Sequence, residues 1–90
     1  MSSDAVTDAL SRLSGWRHED DKLKKSYRFG SFREAVAFLV RVAFEAEQRN
    51  HHPEVYNVYG TVDLALTSHD AGNKVTAMDV DLAAAIDELG

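Results

Sequence analysis

Two hydrophobic periods alternate along the chain. Residues 3 to 14 place Val6, Leu10 and Leu13 at helical spacing, with Ser3 or Asp4 as N-cap and Gly15 as C-terminal stop. From Trp16 to Phe29 the period falls to two. Leu23, Lys25, Tyr27 and Phe29 alternate with Lys24, Ser26 and Arg28, and Glu19-Asp20-Asp21-Lys22 supply a turn between two short strands. Trp16 reads as a large core residue. Lys25 interrupts the apolar face, which suits a strand edge where its stem can snorkel. Ser31-Phe32-Arg33-Glu34 then has the capping-box pattern and opens a long helix. Phe32, Ala35, Val36, Leu39, Val40, Ala43 and Ala46 share one face, and Phe38, Val42 and Phe44 widen it. A helix apolar over so much of its circumference predicts cover on two sides, by a sheet and by another helix or subunit. It should run to about residue 49 and stop before Pro53.

The period of two then returns. Val55, Asn57 and Tyr59 alternate with Tyr56 and Val58, Gly60 permits a tight reversal, and Val62, Leu64 and Leu66 alternate with Thr61, Asp63, Ala65 and Thr67. After a loop from Ser68 to Val75, Thr76 caps a last helix, with Asp79 as a short version of the capping-box acid. Met78, Leu82, Ala85, Ile86 and Leu89 form its apolar face. The order α-β-β-α-β-β-α predicts an α+β fold in one domain over residues 1–90, an antiparallel sheet with helices on one face.

Composition narrows the function classes. At 90 residues the chain buries about two-thirds of its extended surface, so partners often supply the missing burial. Absence of cysteine excludes disulfides, thiolate nucleophiles and Cys-type zinc sites. A net charge of -5 argues against a nucleic-acid footprint, and Lys22, Lys24 and Lys25 read as the solvated face of a strand. No apolar run approaches the roughly 20 residues that span a bilayer. The first residues lack a basic and an apolar signal region. A soluble cytoplasmic protein is expected.

The chemistry concentrates in Glu47-Gln48-Arg49-Asn50-His51-His52-Pro53-Glu54, where helix hands over to sheet. Histidine, with an unperturbed pKa of about 6.5, moves protons in both directions near neutrality. His69 follows the fourth strand. If the helix continues one turn further, Glu47 and His51 form an i,i+4 pair. A carboxylate there would fix the imidazole tautomer and favour its charged form. The alternative is a cation at a helix C-terminus, stabilised by the macrodipole, with Pro53 as a stop. His18 has no partner at useful spacing and reads as structural. A zinc site from His51, His52, His69 and Glu47 is disfavoured, because adjacent histidines point to opposite faces of a strand or diverge by about 100° on a helix. His-x-x-x-His is absent. There is no nucleophile elbow, phosphate loop or cofactor signature.

These residues resemble a known family. Glu47-x-x-x-His51-His52-Pro53, Asn57-x-Tyr59, Val62-x-Leu64-x-Leu66-Thr67-x-His69-Asp70-x-Gly72 and Thr76-x-x-Asp79-x-x-Leu82-Ala83 closely resemble the pterin-4a-carbinolamine dehydratases. Leu13-Ser14-Gly15-Trp16, Tyr27-x-Phe29-x-x-Phe32-x-x-Ala35-x-x-Phe38 and Val42-Ala43-x-x-Ala46-Glu47 fit too, so the match runs from about residue 10 onward. The resemblance implies a four-stranded antiparallel sheet with three helices on one face, assembled as homodimers or homotetramers. It also implies dehydration of 4a-hydroxytetrahydropterin to quinonoid dihydropterin without metal or cofactor, in pterin recycling. His51, His52 and His69 would be the binding and acid–base residues. Glu47 would support His51, Asp79 would stand near the site, and Pro53, Val55 and Tyr56 would lie on the substrate side. No nucleic acid or membrane is implied as a direct partner. Two departures stand out: Val55 occupies a position that is usually aromatic, and the loop between His69 and Asp79 is one residue longer. The other function class on this fold is a non-catalytic interaction or assembly protein, and the three retained histidines favour the enzyme.

Overall fold

The computed structural model describes residues 1–89. Its elements are α1 (Ser3–Leu10), β1 (Arg17–Glu19), β2 (Lys22–Arg28), α2 (Phe32–Gln48), β3 (Glu54–Val58), β4 (Thr61–Leu66), a 3-10 turn (His69–Ala71) and α3 (Ala77–Leu89). The strands form one antiparallel sheet in the order β1-β2-β4-β3. The three helices pack on one face, as the hydrophobic periods predict. The inward positions are Leu23 on β2 and Val62, Leu64 and Leu66 on β4, which close on Phe38 and Val42 of α2 and on Leu82 and Ile86 of α3. Phe38 is fully buried, with ring centroids 4.7 Å from Tyr27 and 4.9 Å from Phe29. Truncation of such a core ring to Ala costs about 3–5 kcal/mol.

Both hairpins have local causes. Asp20 and Asp21 take φ of 55° and 58°, the left-handed pair that a two-residue turn between twisted strands requires. At the second hairpin Tyr59 takes φ 50°, and Gly60 lies hard against β2: its carbonyl accepts from Phe29 N–H at 2.8 Å. A Cβ on Gly60 would stand 2.4 Å from the Phe29 carbonyl oxygen. Close approach, rather than a special φ, explains the glycine.

Several details differ from the sequence expectation. α1 ends at Leu10 and is capped by Ser2, whose Oγ accepts from Ala5 N–H at 3.1 Å. Turns fill the gap to Gly15, which takes φ 79° but is not the helix stop. At α2, Ser31 caps Glu34 N–H as predicted, while the Glu34 carboxylate reaches the amide of Gly30 rather than that of Ser31. The buried stripe of α2 is Ala35, Phe38, Val42 and Ala46. Phe32, Val36, Val40 and Phe44, four residues apart, lie outside it, and Phe44 is 70% exposed. α2 is therefore apolar on two sides, and among the described residues only one of them is covered.

Lys25 does not snorkel. Its Nζ turns inward to the Ser14 carbonyl at 2.5 Å and to Asp87 Oδ1 at 2.7 Å, 4.6 Å from the centre of the Tyr27 ring. The same carboxylate accepts from Tyr27 OH (2.6 Å) and Trp16 Nε1 (3.0 Å). Trp16 is buried, as expected of a core residue. This cluster joins β2, the chain entering β1 and the end of α3 at one acceptor. Burial pushes the Asp87 carboxyl up, but hydrogen bonds from Lys25, Tyr27 and Trp16, with the charge of Lys25, outweigh it and hold it below the usual carboxylate range. Burial, then the bond to Asp87, raises the Tyr27 phenol.

Candidate active site

The histidine pair is aimed by the way α2 ends. Asn50 takes φ 49°, its amide donates to the Glu47 carbonyl, and the His51 amide donates to the Ala46 carbonyl. This is a Schellman closure with asparagine in the left-handed position. The helix therefore does not continue another turn, and Glu47 and His51 are not an i,i+4 pair on its surface. His51 instead turns under α3, where it is 9% exposed. Its Nε2–H donates to Asp79 Oδ1 at 2.5 Å. Glu47 stands by the other histidine, its carboxylate 3.4 Å from His52 Nε2, with both side chains well exposed. The expected support of His51 by Glu47 is corrected on this point: Asp79 provides it.

Asp79 is fully buried and accepts from three directions. Besides His51, Ser68 Oγ–H and the Thr76 amide each donate to its Oδ2 at 2.8 Å. Thr76 Oγ1 accepts from the Met78 amide at 3.2 Å and lies 2.7 Å from Ser68 Oγ. The short capping box read from the sequence thus exists, and its acid has a second task. Because Asp79 closes the start of α3, its position is fixed by backbone, and His51 is fixed through it.

His69 lies on the 3-10 turn after β4, exposed, with its Nδ1–H donating to Asn73 Oδ1 at 2.7 Å. Left-handed Gly72 and Asn73, at φ 73° and 61°, bring the chain back so that Ser68 bridges Lys74. His51, His52, Pro53, Ser68, His69 and Met78 line one cleft of about 440 Å³. The three sequence-predicted histidines are thus brought together. His18 is exposed on β1 and is not part of the cleft.

Val55 and Tyr56 are placed elsewhere. Val55 pairs with inward-facing Leu64 and lines an apolar groove of about 260 Å³ against Leu39, Val42 and Ala46 of α2; this groove shares Glu47, His52 and Pro53. Tyr56, opposite Asp63, belongs to the outer sheet face. Thr76 was read from the sequence as the helix cap and as part of the family motif, while Ser68 and Asn73 were not singled out as site residues. The signals for those two were adjacency to His69 and an i,i+4 position from it. Among the described residues no group of three or more His, Asp or Glu side chains is placed to hold a metal ion.

Comparisons with known proteins bear on the family and the fold. The family model for pterin 4 alpha carbinolamine dehydratase matches residues 1–89. A protein of Opitutus terrae, provisionally named a pterin-4-alpha-carbinolamine dehydratase, is 56% identical over 84 residues, covering 93% of this chain and 87% of its own. One from a Bradyrhizobium strain, named in the same provisional way, is 52% identical over 91 residues, with 99% and 91% covered. Among solved structures, a transcriptional coactivator/pterin dehydratase from Brucella melitensis superposes with a TM-score of 0.94 at 32% identity, covering 99% of this chain and 96% of that one. A pterin dehydratase-like protein identified as a RuBisCO assembly factor in the alpha-carboxysome gives 0.72 at 25% identity, with 84% and 89% covered. The chain belongs to the pterin-4a-carbinolamine dehydratase family.

Proposed function

We propose that the protein is a hydro-lyase that removes water from 4a-hydroxytetrahydropterin to give quinonoid dihydropterin, by general acid–base catalysis from His51, His52 and His69. The observation that carries this reading is the convergence of the three histidines on one cleft, with His51 backed by a buried carboxylate. Expelling the 4a-hydroxyl as water needs a proton donated to its oxygen, while a pterin ring N–H gives up a proton as the carbon–nitrogen double bond forms. Imidazoles serve both steps near neutral pH, and such groups contribute about 10²–10⁴-fold. The chemistry needs no resident metal or cofactor. Pro53 closes the cleft beside the pair, and the Val55 groove extends from it toward α2, where the flat ring system could lie. Among the described residues no helix is long and apolar enough to cross a membrane. The proposed setting is the cytoplasm, in pterin recycling.

Self-association belongs to the same proposal. The uncovered stripe Phe32–Val36–Val40–Phe44 presents four large apolar side chains at one spacing, which supports a homodimer or homotetramer closed through α2. The stripe also supports a second reading, an interaction or assembly protein on the same fold. One measurement decides between them. The purified protein is mixed with chemically generated 4a-hydroxytetrahydropterin, and dehydration is followed by absorbance. A rate well above the spontaneous one supports the enzyme, and no acceleration would leave the assembly reading.

A further inference from the structure

The turn that carries His69 is fastened at several points. The Ser68 carbonyl accepts from the Ala71 and Asn73 amides, each at 3.1 Å, and the Ser68 amide donates to the Lys74 carbonyl at 3.0 Å. The Gly72 amide closes back on the His69 carbonyl at 3.1 Å. Lys74 Nζ reaches Asp21 Oδ2 at 3.0 Å, which ties the same segment to the β1–β2 turn. Asn73 therefore leaves the backbone from a fixed point, four residues beyond His69. Its φ of 61° is left-handed, a conformation that glycine, asparagine and aspartate enter far more readily than other residues. Glycine would satisfy that backbone, so the turn alone asks for no side chain here. The carboxamide is nevertheless engaged. Its Oδ1 can only accept, so His69 Nδ1, 2.7 Å away, must hold the hydrogen between them. A free neutral histidine side chain instead keeps its hydrogen mostly on Nε2. His69 lines the histidine cleft and Asn73 does not. With Nδ1 engaged on the loop side, Nε2 is the ring nitrogen left for the cleft.

We propose that Asn73 is a positioning residue for His69: its amide oxygen holds Nδ1–H and keeps Nε2 as the nitrogen that exchanges a proton with the cleft. The bond does two things at once. It fixes the neutral tautomer, and it restrains rotation of an otherwise exposed ring, so Nε2 keeps one aim. Nδ1 carries its hydrogen in both the neutral and the charged imidazole, so the bond to Asn73 survives either state. The expected effect on turnover rests on the dehydratase reading above. The positioning itself is a property of the free protein and stands without any substrate.

The test uses the full chain labelled with ¹⁵N-histidine, with Asn73→Gly as the main variant because glycine accepts the left-handed φ. Long-range proton–nitrogen correlation spectra, at a pH where the ring is neutral, report which nitrogen carries the hydrogen. Wild-type His69 should be protonated at Nδ1. Asn73→Gly should move the hydrogen predominantly to Nε2 while Tm shifts little. Asn73→Asp, which keeps an acceptor oxygen and tolerates the same φ, should restore Nδ1–H. In the dehydration assay Asn73→Gly should lower kcat about two- to tenfold, the range that one hydrogen bond is worth, with KM changed less. Asn73→Ala removes the same oxygen and carries the comparison if Asn73→Gly does not fold. A neutral wild-type His69 protonated at Nε2 would overturn the proposal. So would an Asn73→Gly protein with an unchanged tautomer, or with a changed tautomer and an unchanged kcat. Tautomers that shift as expected in a protein without dehydratase activity would uphold the positioning role and remove the dehydratase reading.

Discussion

Asp79→Ala, compared with Asp79→Asn, separates the two tasks of the buried carboxylate. Alanine removes the acceptor for Thr76 N–H, Ser68 Oγ–H and His51 Nε2–H together. Loss of a helix cap costs about 1 kcal/mol, and each buried donor left without an acceptor about 1–3 kcal/mol. Ser68 is buried and His51 nearly so, which leaves water little access to replace the lost partner. The sum is roughly 3–7 kcal/mol, a large share of the 5–15 kcal/mol that holds a typical domain together. Asparagine keeps the shape and an oxygen for Thr76 and Ser68, so its cost should stay below about 1.5 kcal/mol. Its amide, however, turns a donor toward His51, and activity should fall by about 10²-fold or more. Urea titrations at one fixed protein concentration, followed by circular dichroism, give the stabilities, because self-association would otherwise shift them. An Asp79→Ala cost below about 1 kcal/mol would refute the reasoning. So would an Asp79→Asn protein as unstable as Asp79→Ala.

Light scattering at micromolar concentration should report a dimer or tetramer, and Val40→Glu should shift it toward monomer; a wild-type mass near 10.0 kDa would contradict the self-association. Val55→Trp should lower KM a few-fold with less effect on kcat, because ring stacking adds about 0.5–1.5 kcal/mol to ground state and transition state alike; an unchanged KM would place the pterin away from the Val55 groove. Asp87 has a folded pKa below its unfolded value of about 3.9, so its contribution is present above that pH and is lost as pH falls through the folded pKa. Acid unfolding curves should therefore show the wild type losing its advantage over Asp87→Asn below about pH 4, and parallel curves would count against that assignment.

The elements were legible because each has one dominant period, and the capping patterns at Ser31 and Thr76 fall where those periods change. The uncovered side of α2 was legible as excess apolar width, but which residues face the core was not. Phe38 and Val42 read as additions to a stripe led by Phe32 and Val36, and packing against β4 and α3 reverses that ranking. At the site, the histidines stood out by type and position. The support of His51 did not, because it depends on a left-handed Asn50 that ends α2 one turn before an i,i+4 pair can form. Its true partner lies 28 residues away in sequence and is brought in by the packing of α3. Lys25 misled for a similar reason: its acceptor, Asp87, is 62 residues distant.

The central claim is that His51, His52 and His69 act as one acid–base set in the cleft. Its most direct test is to measure kcat/KM for dehydration of 4a-hydroxytetrahydropterin with the wild type, His52→Ala and His69→Ala. Both replaced histidines are exposed, so both variants should stay folded, with unchanged circular dichroism. Each should lose about 10²-fold or more in kcat/KM. Full activity in both variants would contradict the assignment.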